Sequence, residues 1–171
     1  MLKIMFVAVV MVAGNVLADE SPELGEAVSA SDLALADYTI LSNGAGLPAG
    51  SGDAKKGATV YLQNCLACHG MGGTNGLNDS LVGGQGSLLT DNPVRTVGSF
   101  WPYATTLFDY VRRAMPYQTP GSLTNDEIYA VTAYILFLNG LVAEDANMNA
   151  DTLPNVKMPN RDKIVWQYQP E

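Results

Sequence analysis

The sequence contains few cysteine and histidine side chains, the usual ligands of zinc. It has two cysteines and one histidine, too few for a structural zinc site, which takes four Cys or His ligands. All three lie in one pentapeptide, Cys65-Leu66-Ala67-Cys68-His69. A thioredoxin-like redox pair or a disulfide is the alternative use of the two thiols, but the redox pair needs a βαβ pattern nearby, and the sequence has none.

Long hydrophobic runs are also missing. The apolar run Ile4–Val12 follows Lys3 and is shorter than the roughly 20 residues that span a bilayer. Small residues up to Ala18 follow it, a pattern typical of a secretory signal peptide. A retained membrane anchor is the alternative. We expect residues 1–18 to be a signal peptide cleaved after Ala18, and the mature chain to be periplasmic, without stable membrane insertion. The best second run, Val131–Leu138, has the length of a core helix segment.

Basic residues are scarce. The chain has nine Lys and Arg against 17 Asp and Glu, and because only Lys3 falls within residues 1–18, the mature charge is eight minus 17, or −9. This balance argues against nucleic acid and anionic membranes as partners. It permits electrostatic steering toward a basic protein surface, and an acidic surface that serves solubility alone is an equal alternative. The glycine-rich stretch after His69 lacks the G-x-x-x-x-G-K-[ST] pattern of a phosphate loop.

The pattern C-x-x-C-H is typical of c-type haem attachment. Two thiols separated by two residues can form thioether bonds with the two vinyl groups on one haem edge. His69 is then held beneath the iron as an axial ligand. Since the pattern occurs once, we expect one covalent haem c, bound through Cys65, Cys68 and His69.

Capping signals predict three helices. Asp53 opens the first, which runs to the haem motif, and Ala104–Ala114 forms the second. Thr124 and Glu127 form a capping box that opens the third, which ends at Asn139–Gly140. Gly57 on the first helix would let Tyr134 of the third approach closely. The predicted fold class is all-α.

The sixth ligand of the iron is predicted from the methionines. A thioether sulfur opposite His is a common arrangement in cytochromes c. Met71 is too close to His69 to reach the far face, and Met148 lies in a polar loop. Met115 lies between the second and third helices, where a loop can fold back over the haem. Met158, in the C-terminal part, and an open sixth position are the alternatives.

Residues 53–140 resemble a class I cytochrome c, with an opening helix, the haem motif, Met115-Pro116 and a closing helix. A narrower resemblance, from about residue 44 to 163, is to the cytochrome subunits of periplasmic sulfite dehydrogenases and the haem domain of sulfane dehydrogenases. The strings that carry it are Gly46–Gly52, Thr96–Thr106 (TVGSFWPYATT), Arg113–Pro116, Leu123–Asn139 and Met158–Asp162 (MPNRD).

The resemblance implies a class I cytochrome c fold at residues 53–141, with an N-terminal extension at 19–52 and a C-terminal extension at 142–171. It implies covalent attachment at Cys65 and Cys68 and axial ligation by His69 and Met115. Many members have a Gly-Pro pair whose carbonyl orients the histidine. Here Gly83-Gly84 lack the proline, so the acceptor for His69 Nδ1 is left open. As haem propionates need donors, we hypothesise that they bind Arg95, Trp101, Tyr103 and Arg113.

We therefore expect a monohaem electron carrier that performs no bond chemistry itself. Its electron donor would be a molybdenum-containing sulfite or sulfur dehydrogenase subunit, and its acceptor a downstream cytochrome or oxidase. A free diffusible periplasmic cytochrome is one alternative. A haem enzyme with an open sixth site is the other.

Overall fold

The structure is a computed structural model that describes residues 25–165. Its helices are α1 (Ala30–Ala36), α2 (Ala54–Asn64), α3 (Leu66–His69), α4 (Ala104–Ala114) and α5 (Asn125–Leu138). Short 3₁₀ turns lie at Met71–Gly73, Ser87–Leu89 and Leu153–Asn155. Two short strands, β1 (Ser51–Gly52) and β2 (Met148–Asn149), pair antiparallel with Gly52 opposite Met148. The all-α prediction is confirmed.

Contacts divide the chain into two units, Met1–Asp37 and Tyr38–Glu171. In the first, α1 begins where Ser29 Oγ accepts a hydrogen bond from the Asp32 amide at 3.1 Å. The predicted signal peptide, residues 1–18, lies outside the described residues. Between residues 25 and 165, no helix has the length and apolar character needed to cross a membrane.

The predicted caps set the helix boundaries of the second unit. Asp53 Oδ1 accepts from the Lys56 amide at 2.9 Å and opens α2. Thr124 and Glu127 form the reciprocal capping box of α5, with the Thr124 amide donating to Glu127 Oε2 at 2.8 Å. Each cap satisfies amide groups that have no partner within the helix. The three predicted helices are therefore confirmed as α2, α4 and α5.

Helices α2 and α5 cross at Gly57, as the sequence predicts. A Cβ built on Gly57 would lie 2.5 Å from the Ala130 carbonyl carbon and 2.7 Å from Tyr134 Cβ. Only a residue without a side chain permits this approach. One turn further along α2, the rings of Tyr61 and Tyr134 pack with their centroids 5.3 Å apart. This crossing fixes the direction in which α2 leads into the haem motif.

The core extends beyond residues 53–141. Leu153 and Met158, from the predicted C-terminal extension, are buried with the helices. On the N-terminal side, the Tyr129 hydroxyl donates to the Pro48 carbonyl at 2.9 Å. Both predicted boundaries, at 52/53 and 141/142, thus lie inside the compact unit that begins at Tyr38. Trp166 and Tyr168, amphipathic aromatic residues near the C-terminus, predict that the C-terminal part docks on the domain, but both lie outside the described residues.

Candidate haem-binding site

A cavity of about 610 Å³ opens beside the haem motif. Its volume is within the range of cofactor pockets, about 300–1,000 Å³. Helices α4 and α5 form its apolar wall, and the loops at 77–81, 95–101 and 115–118 complete it. The lining residues used below are Cys65, Cys68, His69, Leu77, Leu81, Arg95, Trp101, Leu107, Tyr110, Val111, Met115, Tyr117, Val131 and Ile135.

The haem motif lies on one turn of helix. Cys65 ends α2, and its carbonyl accepts from the amides of Cys68 at 3.1 Å and His69 at 2.9 Å. This turn brings both sulfurs and the imidazole to the same cavity. Both cysteines are free thiols, so the structure does not contain the alternative disulfide. Burial, and secondarily the neighbouring Cys68, raises the pKa of the Cys65 thiol to about 11.

The acceptor for His69, left open by the sequence, is the Asp79 carbonyl, which lies 3.0 Å from Nδ1. A carbonyl only accepts hydrogen bonds, so this contact places the ring proton on Nδ1 and leaves the Nε2 lone pair for a metal. Two backbone bonds hold the loop that carries Asp79. The Asn78 amide donates to the Cys68 carbonyl at 2.9 Å, and the Leu81 amide to the Gly73 carbonyl at 2.8 Å.

Met115 lines the cavity that His69 lines. It is the residue that ends α4, and its extended backbone (φ −124°, ψ 144°) turns the chain out of the helix. Met158 is instead buried in the core, 4% exposed, and is not among the residues that line the cavity. Of the two methionine candidates, the structure therefore brings Met115 to the haem motif.

Two of the four propionate candidates line the cavity. Arg95 places its guanidinium 5.4 Å from the centre of the Phe100 ring, and Trp101 packs edge-on against Tyr110 at 5.7 Å. Tyr110 itself was missed by the sequence analysis. It lies three residues from Leu107 on α4, and this helical spacing is the signal that could have identified it.

Tyr103 and Arg113, the other two candidates, are not among the residues that line the cavity. The guanidinium of Arg161 lies 5.5 Å from the centre of the Tyr103 ring. Arg113 Nε donates to Asp109 Oδ1 at 2.7 Å, and its Nη2 donates to the Tyr38 carbonyl. Of the four candidates, only Arg95 and Trp101 therefore remain as predicted donors to the haem propionates.

The donor set of the cavity fits haem c. Two thiols next to an imidazole supply the covalent and proximal attachments, and a thioether supplies a soft ligand. A bare metal ion fits less well, because residues 25–165 contain no group of three or more His, Cys, Asp or Glu side chains arranged to hold one.

Comparison with known proteins agrees with this geometry. Residues 52–135 match the family model described as cytochrome c oxidase, cbb3-type, subunit III. The fold matches a chain in the crystal structure of the sulfane dehydrogenase SoxCD from Paracoccus pantotrophus. That chain is 38% identical, with a TM-score of 0.78, and the match covers 84% of this chain and 71% of the other. No curated protein matches the sequence.

The fold and the comparisons together define a class I c-type cytochrome, and the chain belongs to this family. Membership implies haem c and electron transfer, and Cys65 and Cys68 are consistent with the attachment motif of the family. Within the family, the chain is similar to a chain of sulfane dehydrogenase SoxCD.

Proposed function

We propose that the chain is a monohaem electron-transfer subunit that accepts electrons from a periplasmic molybdenum dehydrogenase acting on an inorganic sulfur compound. One observation carries the electron-transfer part. The Cys65 and Cys68 thiols, the His69 imidazole and the Met115 thioether line a single cavity. When bound there, haem c supplies a one-electron ferric/ferrous couple.

Each donor has a separate task. Cys65 and Cys68 would hold the haem through thioether bonds, so that the cofactor stays attached during repeated turnover. His69, with Nδ1 donating to the Asp79 carbonyl, would hold the iron through Nε2. Met115, which lines the same cavity, would supply a thioether ligand, and a thioether together with His raises the reduction potential. An iron held by both side chains is closed to substrate, which favours electron transfer over the open-site enzyme.

The walls of the cavity that α4 and α5 form are apolar and buried. Leu107 and Val111 of α4 and Val131 and Ile135 of α5 are each at most 6% exposed. A dry apolar surround strengthens the electrostatic interactions inside it. It also limits how much solvent must reorganise when the charge on the site changes. The chain thereby supplies an environment suited to outer-sphere electron exchange.

The partner part of the proposal rests on similarity. The 38% identity to a chain of sulfane dehydrogenase SoxCD extends over 84% of this chain, and the strings TVGSFWPYATT and MPNRD resemble those of such cytochrome subunits. We infer that the donor is a molybdenum subunit for sulfite or sulfane sulfur. The acceptor would be a second cytochrome or an oxidase. Export to the periplasm is part of this proposal, because both partners and c-type haem attachment are found there.

The exposed rim of the cavity is where such a donor would dock. Leu77 is 90% exposed and Tyr117 77% exposed, and both line the cavity mouth. Exposed apolar and aromatic side chains surrounded by a polar rim are typical of protein contact sites. Leu89, which is 98% exposed and does not line the cavity, offers a matched control.

The test uses the full chain expressed with the haem-attachment machinery. Alkaline pyridine spectra and the intact mass are expected to show one covalent haem per chain, absent in a Cys65→Ser, Cys68→Ser double variant. The protein is then mixed with a molybdenum dehydrogenase subunit, with sulfite added in one arm and a persulfide in the other. Rapid haem reduction in one arm, slowed by Leu77→Asp but not by Leu89→Asp, supports the proposal. No reduction in either arm refutes the partner assignment.

A freely diffusing cytochrome remains the second candidate. It predicts fast reduction without a stable complex, whereas a subunit co-elutes with the molybdenum protein in gel filtration at micromolar concentration. The open-site enzyme predicts rapid binding of carbon monoxide to the reduced protein as isolated, which an occupied sixth position prevents.

A further inference from the structure

The C-terminus of α5 is tied to the loop that follows the haem motif. Asn139, which is 7% exposed, uses every hydrogen-bonding atom of its side-chain amide. Nδ2 donates to the Leu81 carbonyl at 3.2 Å and to the Ile135 carbonyl at 2.9 Å. Oδ1 accepts from the Gly83 amide at 3.2 Å. The amide orientation is fixed, because reversing it would place donor against donor and acceptor against acceptor.

Two further hydrogen bonds hold this loop in place. The backbone carbonyl of Asn139 accepts from Gln85 Nε2 at 2.7 Å. On its other side, Thr96 Oγ1 donates to the Gly83 carbonyl at 2.6 Å. Gly98 lets the turn at residues 96–99 approach, since a Cβ there would lie 2.5 Å from Asn139 Cγ. The loop segment 81–85 is thus held from both sides by buried groups.

This segment directly follows the carbonyl that orients the proximal histidine. Asp79, whose carbonyl faces His69 Nδ1 at 3.0 Å, lies between two attachment points. The Asn78 amide is bonded to Cys68, and Leu81 is bonded to Asn139. Removing the second attachment leaves Leu81 held only by the bond from its amide to the Gly73 carbonyl. The Asp79 carbonyl can then move away from the imidazole.

We propose that Asn139 is a positioning residue that holds the Asp79 carbonyl against His69 and thereby sets the reduction potential of the site. The inference rests on the proposed haem ligation by His69. A hydrogen bond from Nδ1 to a carbonyl makes a ligating imidazole more basic. A more basic imidazole stabilises the ferric state. Weakening the bond therefore moves the potential in the positive direction.

The test compares the haem-loaded full chain with its Asn139→Ala and Asn160→Ala variants. Asn160 is a matched control, since it is also a buried asparagine (8% exposed) and donates to the Phe100 carbonyl at 2.7 Å. It makes no bond to the loop at 79–85. The measurements are the reduction potential and the NMR exchange rate of the His69 Nδ1 proton in the reduced state.

Asn139→Ala is expected to speed Nδ1 exchange at least tenfold. It should also shift the ferric-to-ferrous equilibrium three- to tenfold toward ferrous, where tenfold corresponds to about 59 mV for one electron. Asn160→Ala should lose stability but change neither quantity. An unchanged exchange rate, or a negative shift caused by water entering the cavity, overturns the inference.

Gln85→Ala keeps the test decisive if Asn139→Ala fails to fold. Gln85 is exposed, so its removal should be tolerated, and a smaller positive shift with faster exchange is expected. Unchanged values in that variant overturn the proposal. Failure of the proposed function would look different, because the unmodified chain would then lack covalent haem or the His69 signal of a ligated imidazole.

Discussion

Replacing Gly57 by alanine tests the helix crossing that places the haem motif. In an isolated helix this change is favourable by about 1 kcal/mol, because glycine loses more backbone entropy than alanine. In this protein the new methyl carbon would lie 2.5 Å from the Ala130 carbonyl carbon and 2.7 Å from Tyr134 Cβ. The Ala130 carbonyl oxygen also obstructs the methyl group, and both atoms of this carbonyl belong to the α5 backbone and cannot rotate away.

Relief of this clash requires α2 and α5 to separate. A gap of 0.5–1 Å forfeits about a quarter to a half of the dispersion energy between facing atoms. Overpacking of this kind costs about 1–3 kcal/mol, and contact with backbone places it at about 3. Subtracting the helix gain leaves a net loss of about 2 kcal/mol, or about 4–8 °C in Tm for a domain of this size.

The assay is urea unfolding of the haem-loaded protein, followed by far-ultraviolet circular dichroism. Thr59→Ala is the control, because Thr59 is exposed on the same helix and its replacement has only the favourable propensity effect. We expect Gly57→Ala to lower the unfolding midpoint and Thr59→Ala to leave it equal or slightly higher. A Gly57→Ala protein as stable as the original would refute the close crossing.

Three further predictions concern other sites. Met115→Ala should abolish the far-red sulfur-to-iron absorption band and let carbon monoxide bind, whereas Met158→Leu should leave the spectrum unchanged. A band retained in Met115→Ala refutes the assignment of Met115 as an iron ligand. Hydrogen bonds from Thr124 lower the pKa of the Glu127 carboxyl in the folded protein. The stability that this carboxylate contributes is therefore fully present above its ordinary pKa and is lost as the pH falls through the lower, folded-state pKa. Glu127→Gln should therefore flatten the acid side of the stability curve, and an unchanged slope contradicts this. Burial raises the pKa of Tyr129 to about 12, whereas a tyrosine in the unfolded chain ionises near pH 10. The free energy of unfolding should therefore fall between about pH 10 and 12, and it should fall less steeply in Tyr129→Phe.

Local signals in the sequence predicted the helices that build the site. Asp53 and the Thr124–Glu127 pair satisfy amides within three residues of themselves, so their effect does not depend on the rest of the fold. The spacing of Cys65, Cys68 and His69 is local in the same sense. Met115 could be chosen because the loop between α4 and α5 has few ways to meet a haem held by α3.

The features that the sequence could not predict are backbone contacts between distant segments. The Asp79 carbonyl has no side-chain signature, because every residue carries the same acceptor. The placement of Arg113 and Tyr103 away from the cavity depends on Tyr38 and Arg161, which are more than 50 residues distant. Met158 has the same Met-Pro neighbourhood as Met115, and its burial in the core away from the cavity could not be read from its sequence neighbours.

The composition of α5 explains why segments outside residues 53–141 belong to the compact unit. Its residues from Ile128 to Leu136 are buried except Tyr134, which is only partly exposed. A helix that is apolar on all sides needs cover on all sides. Val131 and Ile135 face the cavity, Ala130 meets α2, and Tyr129 bonds Pro48. A domain limited to residues 53–141 would leave the Tyr129 hydroxyl without its hydrogen-bond acceptor, the Pro48 carbonyl. The length of the apolar stretch in α5 was therefore itself a signal that flanking segments fold with it.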